Sequence, residues 1–120
     1  MKHITLIEDN ADNRLLVGAI LEGQYSLTSY ESGREAIAQL PEAVPDLVLL
    51  DISLPEMDGT EVLRRIRADP ALAHLPVIAL TAHAMTGDRE KYLAAGFDGY
   101  VTKPILDEAV LLRTISGLLS

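Results

Sequence analysis

The sequence has 120 residues, a formal net charge of -8, a pI near 4.7 and no cysteine. This length predicts one domain spanning residues 1–120, and 48% hydrophobic with 23% charged residues is typical of a globular protein rather than a disordered chain. The acidic balance argues against direct binding to nucleic acid or to an anionic membrane. The lack of cysteine excludes a disulfide scaffold and a thiolate metal site. With no apolar span of roughly 18 residues and no signal peptide, the cytoplasm is the expected location.

Short apolar runs of strand length alternate with amphipathic segments along the chain. The predicted strands are residues 3–8, 25–30, 46–51, 77–81 and 99–102. The first, third and fourth runs are apolar nearly throughout, as in strands covered on both faces, whereas the second alternates like an edge strand.

A helical pattern follows each strand. Apolar residues that share one helix face are, in chain order, Leu15, Leu16, Ala19 and Ile20; Ala36, Ile37 and Leu40; Val62, Leu63 and Ile66; and Val110, Leu111, Ile115 and Leu118. The predicted helix ends are Gly23, Pro41, Pro70 and Gly96, and the predicted starts include the capping box of Ser32 and Glu35, then Thr86 and Asp107. Leu112 and Leu119 lie off the inward face of the last helix and are candidates for a partner or dimer surface.

The alternation of strands and helices predicts a doubly wound α/β domain. Right-handed crossovers would make the five strands parallel and place helices on both faces of the sheet. Such sheets bind ligands beyond the carboxyl ends of their strands, so those ends indicate where a site should lie.

Polar residues stand at four of these strand ends. Glu8 and Asp9 end the first strand, Asp51 the third and Thr81 the fourth, while Lys103 follows the fifth. Neighbouring carboxylates repel one another unless a cation lies between them. Oxygen ligands without His or Cys favour a hard cation, and few carboxylates combined with water and phosphate suit Mg²⁺ better than Ca²⁺.

This set of residues also suits phosphoryl transfer. A carboxylate can attack phosphorus to form an aspartyl phosphate while a metal, a lysine and a hydroxyl stabilise the transferring oxygens. Asp51 is the central candidate, with Lys103 and Thr81 as the groups that would hold the phosphoryl oxygens.

The chain resembles the receiver domains of two-component response regulators along its whole length. The likeness rests on four segments in order, IEDN at 7–10, LVLLDISLPEMDG at 47–59, VIALTA at 77–82 and AGFDGYVTKPI at 95–105. The resemblance implies the strand order 2-1-3-4-5 and phosphorylation of Asp51 by a histidine kinase or a histidine phosphotransfer protein. It also implies Mg²⁺ held by Asp9, Asp51 and the backbone carbonyl of Ser53, with Glu8 acting through water.

The same resemblance assigns roles around the phosphoryl group. Thr81 and Lys103 would contact its oxygens, and Tyr100 would swing between exposed and buried rotamers as Thr81 moves. A cis peptide is expected between Lys103 and Pro104.

Two further positions are implied to control the lifetime of the phosphorylated state. Ser53 and His83 lie two residues beyond Asp51 and Thr81. In this family such positions face the water that attacks the phosphoryl group, so substitutions there should change the rate of phosphate loss more than stability.

The resemblance also implies how the signal leaves the domain. Output would pass by protein-protein contact through the fourth helix, fifth strand and fifth helix, from a monomer or weak dimer, because 120 residues leave no room for an output domain. The segment from residue 81 to 105 is most similar to phosphorelay receivers. The expected chemistry is limited to the domain's own phosphorylation and dephosphorylation.

Three other functions remain open. A haloacid-dehalogenase phosphatase also uses a strand-end aspartate and Mg²⁺, but it needs a second acid where this chain has Ser53. A flavodoxin-like binding module would need a phosphate loop, whereas EDNADN at 8–13 would repel a phosphate. A pseudo-receiver that is never phosphorylated would not be expected to keep the whole set of strand-end residues.

Overall fold

The computed structural model of the chain describes residues 1–82, 88–103 and 108–119. Its strands are β1 His3–Ile7, β2 Ser26–Tyr30, β3 Leu47–Asp51, β4 Val77–Thr81 and β5 Gly99–Thr102. Its helices are α1 Ala11–Leu21, α2 Gly33–Gln39, α3 Gly59–Ala68, α4 Asp88–Ala95 and α5 Glu108–Leu119, with a 3₁₀ turn at Leu40–Glu42.

The strands form one parallel sheet in the order β2-β1-β3-β4-β5. This confirms the doubly wound α/β fold and the predicted strand order. Every residue of β3 and β4 is buried, whereas β2 lies at one edge and is partly exposed, as its alternating pattern predicts.

Side-chain caps start three of the helices. Asn10, Ser32 and Asp58 each accept a hydrogen bond from the backbone N–H three residues later, at 3.0, 3.1 and 3.0 Å. Gly23 and Gly96 follow the ends of α1 and α4 with φ of 82° and 112°, which side-chain-bearing residues rarely adopt. The start predicted at Ser32 and the ends predicted at these glycines are confirmed, while Thr86 and Asp107 lie outside the described residues.

Two apolar layers enclose the sheet. On one face α1 and α5 pack against the strands, and on the other α2, α3 and α4 do so. The predicted face of α3 is confirmed, since Val62, Leu63 and Ile66 are all buried.

The face predicted for α1 is mostly wrong, since Ile20 is buried as predicted but Ala19 is exposed. Leu15 and Leu16 are 73% and 40% exposed, and the buried residues are Val17, Ile20 and Leu21. Residue 15 lies about 200° around the helix from residue 17, so a helix that docks through Val17 turns Leu15 toward solvent.

The prediction for α5 is partly wrong. Leu111 and Ile115 are buried as expected, but Val110 is 39% exposed. Leu118, Leu112 and Leu119 are partly buried and pack against the core, so Leu112 and Leu119 do not lie off the inward face as predicted. Within the described parts of the chain, no helix is long and apolar enough to cross a membrane.

Candidate functional site

The parallel sheet brings the predicted strand-end residues to a single edge. Glu8 directly follows β1, while Asp51 and Thr81 are the last residues of β3 and β4, and all three are buried. Thr81 pairs with Thr102 of β5, which places Lys103 immediately beyond the same edge.

Lys103 joins two of the acids. Its Nζ lies 3.2 Å from Glu8 Oε1 and 3.2 Å from Asp51 Oδ1. The same Asp51 oxygen accepts a 2.9 Å hydrogen bond from the backbone N–H of Ser53. Two donors therefore fix the orientation of the Asp51 carboxylate.

Three carboxylates form the cluster. Oxygens of Glu8, Asp9 and Asp51 all lie within 4.8 Å of one another, and Asp9 is exposed where the other two are buried. One lysine cannot neutralise three acids at such separations.

The buried acids have shifted pKa values of opposite sign. Burial, together with a hydrogen bond to Asp51 and its negative charge, raises the pKa of Glu8 from 4.5 to about 7. Burial alone would also raise the pKa of Asp51, but hydrogen bonds from Glu8 and the Ser53 N–H, together with Lys103, lower it below 3.8. Burial would lower the pKa of Lys103, but the charges of Asp51 and Glu8 raise it. At neutral pH Asp51 is thus a carboxylate beside an ammonium, as a nucleophile requires.

A hard divalent cation fits this arrangement. Glu8 Oε1 accepts from Lys103, but Glu8 Oε2 is buried and meets no donor among the residues that the structure describes. A buried carboxylate oxygen without a donor is costly, and a cation or a proton removes that cost. The donor set of clustered carboxylate oxygens is the one that Mg²⁺ prefers.

Thr81 contacts an aromatic residue of α4. Its Oγ1 lies 3.2 Å from the hydroxyl of Tyr92, which is buried. The Tyr92 ring also lies near Phe97, edge to face with centroids 6.0 Å apart, and near Tyr100 with centroids 6.3 Å apart. Sequence reasoning missed Tyr92, because no spacing or motif relates residue 92 to residue 81.

Gly59 is a second residue that sequence reasoning missed. A Cβ at this position would lie 2.7 Å from the backbone oxygen of Asp51 and 2.7 Å from Cα of Ile52. Its N–H donates to the Ile52 carbonyl at 2.9 Å. The glycine that ends the segment 47–59 could have indicated this contact, since glycine is often found where two backbone segments approach closely.

The structure thus unites most of the predicted site. Glu8, Asp9, Asp51 and Lys103 lie together, and Thr81 ends the adjacent strand. Tyr100 is half-buried on β5 and packs against the core, and Ser53 is exposed. His83, and Pro104 with the peptide bond before it, lie outside the described residues.

Comparison with known proteins agrees with this geometry. The family model of the response regulator receiver domain matches residues 4–116. The chain is 42% identical over 105 residues to the polar-differentiation response regulator DivK of Brucella ovis, covering 87% of this chain and 85% of that protein.

Two solved structures share the fold across nearly the whole chain. The receiver domain of a sensor histidine kinase from Pseudomonas aeruginosa has a TM-score of 0.88 at 36% identity, with 98% of this chain and 97% of that chain covered, and a magnesium ion is coordinated in its active site cleft. The chemotaxis protein CheY4 of Vibrio cholerae has a TM-score of 0.90 at 26% identity, with 99% of each chain covered.

Proposed function

Because the chain belongs to the response regulator receiver domain family, a family of two-component signalling, we propose that it is a phosphorylation-dependent switch whose phosphoacceptor is Asp51. The observation that carries this proposal is the Asp51 carboxylate, buried at the tip of β3 and oriented by Lys103 and the Ser53 N–H.

The proposed reaction is transfer of a phosphoryl group to the Asp51 carboxylate. One Asp51 oxygen forms a bond to phosphorus while the bond from phosphorus to the donor breaks, and the leaving group keeps that electron pair. With a histidine kinase or a histidine phosphotransfer protein the leaving group is an imidazole, and with acetyl phosphate it is acetate. Lys103 and Thr81 would hold the phosphoryl oxygens.

Mg²⁺ is the proposed cofactor. Glu8, Asp9, Asp51 and the backbone carbonyl of Ser53 are the groups that would hold it, with Glu8 acting through water. When bound, it would neutralise charge on the transferring phosphoryl group. The Glu8 oxygen without a donor among the described residues supports this assignment, as does the magnesium ion in the related Pseudomonas receiver domain.

The proposed signal is a change of shape that follows the new charge. A phosphoryl group adds about -1.5 to -2 charges near neutral pH. Recruitment of Thr81 and Lys103 by this charge would shift the packing of Tyr100 and the face formed by α4, β5 and α5, where a downstream protein, or weakly a second copy, would bind. Ser53 and His83 would set the lifetime of the phosphorylated state.

Mass spectrometry of the intact protein tests this function. After incubation with acetyl phosphate and Mg²⁺, we expect one added phosphoryl group on the wild type and none on Asp51→Asn or in excess chelator. Asp12→Asn, an exposed acid of α1, is the matched control and should be labelled like the wild type. Steady release of phosphate from several phosphate esters would instead identify a phosphatase, and no adduct on the wild type would identify a pseudo-receiver.

A further inference from the structure

Tyr92 of α4 contacts the hydroxyl to which the proposed function gives a role in phosphoryl binding. The hydroxyl oxygens of Tyr92 and Thr81 lie 3.2 Å apart, and both residues are buried, with 5% and 1% of their surface exposed. A buried phenol needs a hydrogen-bond partner, and the Thr81 hydroxyl supplies one.

We propose that Tyr92 is a positioning residue that holds the Thr81 hydroxyl in the position it has while Asp51 is unphosphorylated, and thereby links α4 to the phosphorylation site. The inference rests on the proposed function, because it assumes that Thr81 turns toward a phosphoryl group on Asp51.

The contact should oppose phosphorylation. Either hydroxyl can donate in the resting contact, but to bind a phosphoryl oxygen, a charged acceptor, Thr81 must turn its hydroxyl oxygen away from Tyr92 and donate its single proton to phosphate. When Thr81 turns toward phosphorus, its bond to Tyr92 lengthens or breaks, and the buried phenol loses a partner. The Tyr92 hydroxyl therefore stabilises the unphosphorylated state more than it stabilises the phosphorylated state.

The Tyr92 ring explains how the change would reach the proposed output face. It packs edge to face on Phe97 at 6.0 Å and beside Tyr100 of β5 at 6.3 Å. Phe97 is itself buried, and its N–H donates to the Tyr92 carbonyl at 3.2 Å. The Tyr92 ring is therefore held by packing against Phe97 as well as by its contact with Thr81. Loss of the Thr81 contact would release one of the restraints that join α4 to the end of β4.

Tyr92→Phe isolates the hydroxyl, because the ring and its packing are kept. We expect the variant to bind beryllofluoride with Mg²⁺ about threefold to tenfold more tightly than the wild type, and to be phosphorylated by acetyl phosphate faster by a similar factor, the range set by one neutral hydrogen bond. Tyr25→Phe makes the same chemical change where β2 begins, at the opposite edge of the sheet, and should leave both values unchanged.

A second background distinguishes positioning from packing. In Thr81→Val, which lacks the hydroxyl, adding Tyr92→Phe should change beryllofluoride affinity by less than about twofold, since the two residues would act through one contact. Unchanged or weaker affinity of Tyr92→Phe, or the same gain in both backgrounds, would overturn the proposal.

A measurement on the unaltered protein covers the case in which a variant does not fold. In protein labelled with ¹³C at the tyrosine ring carbon that bears oxygen, beryllofluoride should shift the Tyr92 signal and leave that of Tyr25 in place. A stationary Tyr92 signal in protein that binds beryllofluoride contradicts the inference alone. Failure of the wild type to bind beryllofluoride or to be phosphorylated would instead contradict the proposed function.

Discussion

Glu8 is buried beside a positive and a negative neighbour. Lys103 donates to its Oε1 at 3.2 Å, and the same Nζ lies 3.2 Å from Asp51 Oδ1. Burial is the largest influence and raises the pKa of Glu8 to about 7, whereas the pKa of Asp51 falls. The two acids thus divide their tasks, since one readily holds a proton and the other stays charged for attack.

This difference predicts how stability depends on pH in the presence of a chelator. Burial raises the pKa of Glu8 from 4.5, its value in an unfolded chain, to about 7 in the folded protein. Between these values the folded state binds more protons, so this residue makes the free energy of unfolding fall as pH rises. Glu8→Gln should remove that part of the slope.

Urea unfolding followed by circular dichroism at several pH values between 4.5 and 7 measures this effect. The exposed Glu42→Gln is the matched control and should keep the wild-type slope. If the free energy of unfolding changed with pH in the same way for the wild type and Glu8→Gln across the whole window, burial would not raise the pKa of Glu8.

The turn into α3 presses against the backbone of the proposed phosphoacceptor. Gly59 starts this helix under the cap of Asp58, and any side chain there would meet the Asp51 carbonyl and the Ile52 Cα. Backbone atoms cannot rotate away as the end of a side chain does, so β3 or α3 would have to shift.

Gly59→Ala should therefore lower the free energy of unfolding by about 1 to 3 kcal/mol and slow phosphorylation of Asp51. Gly117→Ala is its matched control in α5, where a Cβ would have no atom within 4 Å, and it should raise stability by about 0.5 to 1 kcal/mol because alanine favours helices. Urea unfolding and the acetyl phosphate reaction measure both effects. A Gly59→Ala protein as stable and as reactive as the wild type would show that the contact is easily relieved.

The two helices with misplaced faces show what periodicity leaves undecided. In α1 the apolar residues surround much of the helix, so Leu15 and Leu16 fit a 3.6-residue pattern with Ile20 as well as Val17 and Leu21 do. The sheet, not the helix sequence, selects the buried side. In α3 the opposite face is charged, so only one face could pack against the sheet, and the predicted face is the buried one.

At the scale of the molecule, Arg67 joins several elements at the edge of the sheet opposite the site. Its guanidinium donates to the carbonyls of Ala73, Leu75 and Gly96 at 3.0, 2.6 and 2.9 Å and to the Asp98 carboxylate at 2.9 Å. It thereby ties the end of α3 to the ends of α4 and of the segment before β4.

Arg67→Ala should lower the free energy of unfolding by about 3 kcal/mol, since three partly buried carbonyls lose a charged donor. Arg67→Lys should keep only part of the stability that Arg67→Ala loses, because an ammonium lacks the planar set of N–H donors of a guanidinium. Arg64→Ala, which removes a surface pair with Glu61, is the control and should have little effect. Urea unfolding compares the three variants, and equal losses for Arg67→Ala and Arg64→Ala would contradict the role of Arg67.

The sequence predicted the architecture and most of the site for one reason. Parallel strands bring their carboxyl ends together, so Glu8, Asp51, Thr81 and Lys103 were expected to meet as soon as the alternation of strands and helices was recognised. The strand order came from the resemblance and not from periodicity. The contacts of Tyr92 and Arg67 depend on helix orientation and loop path, which no local pattern in this chain encodes.

Location of the phosphoryl group tests the central claim most directly. Borohydride reduces an aspartyl phosphate to homoserine, so protein treated with acetyl phosphate and Mg²⁺, reduced and digested can be read by peptide mass spectrometry. We predict homoserine at position 51, and none at the neighbouring acids Glu8 and Asp9 or in chelator. Homoserine elsewhere, or an unmodified Asp51 in protein that carries a phosphoryl group, would contradict the assignment of this strand end as the phosphoacceptor.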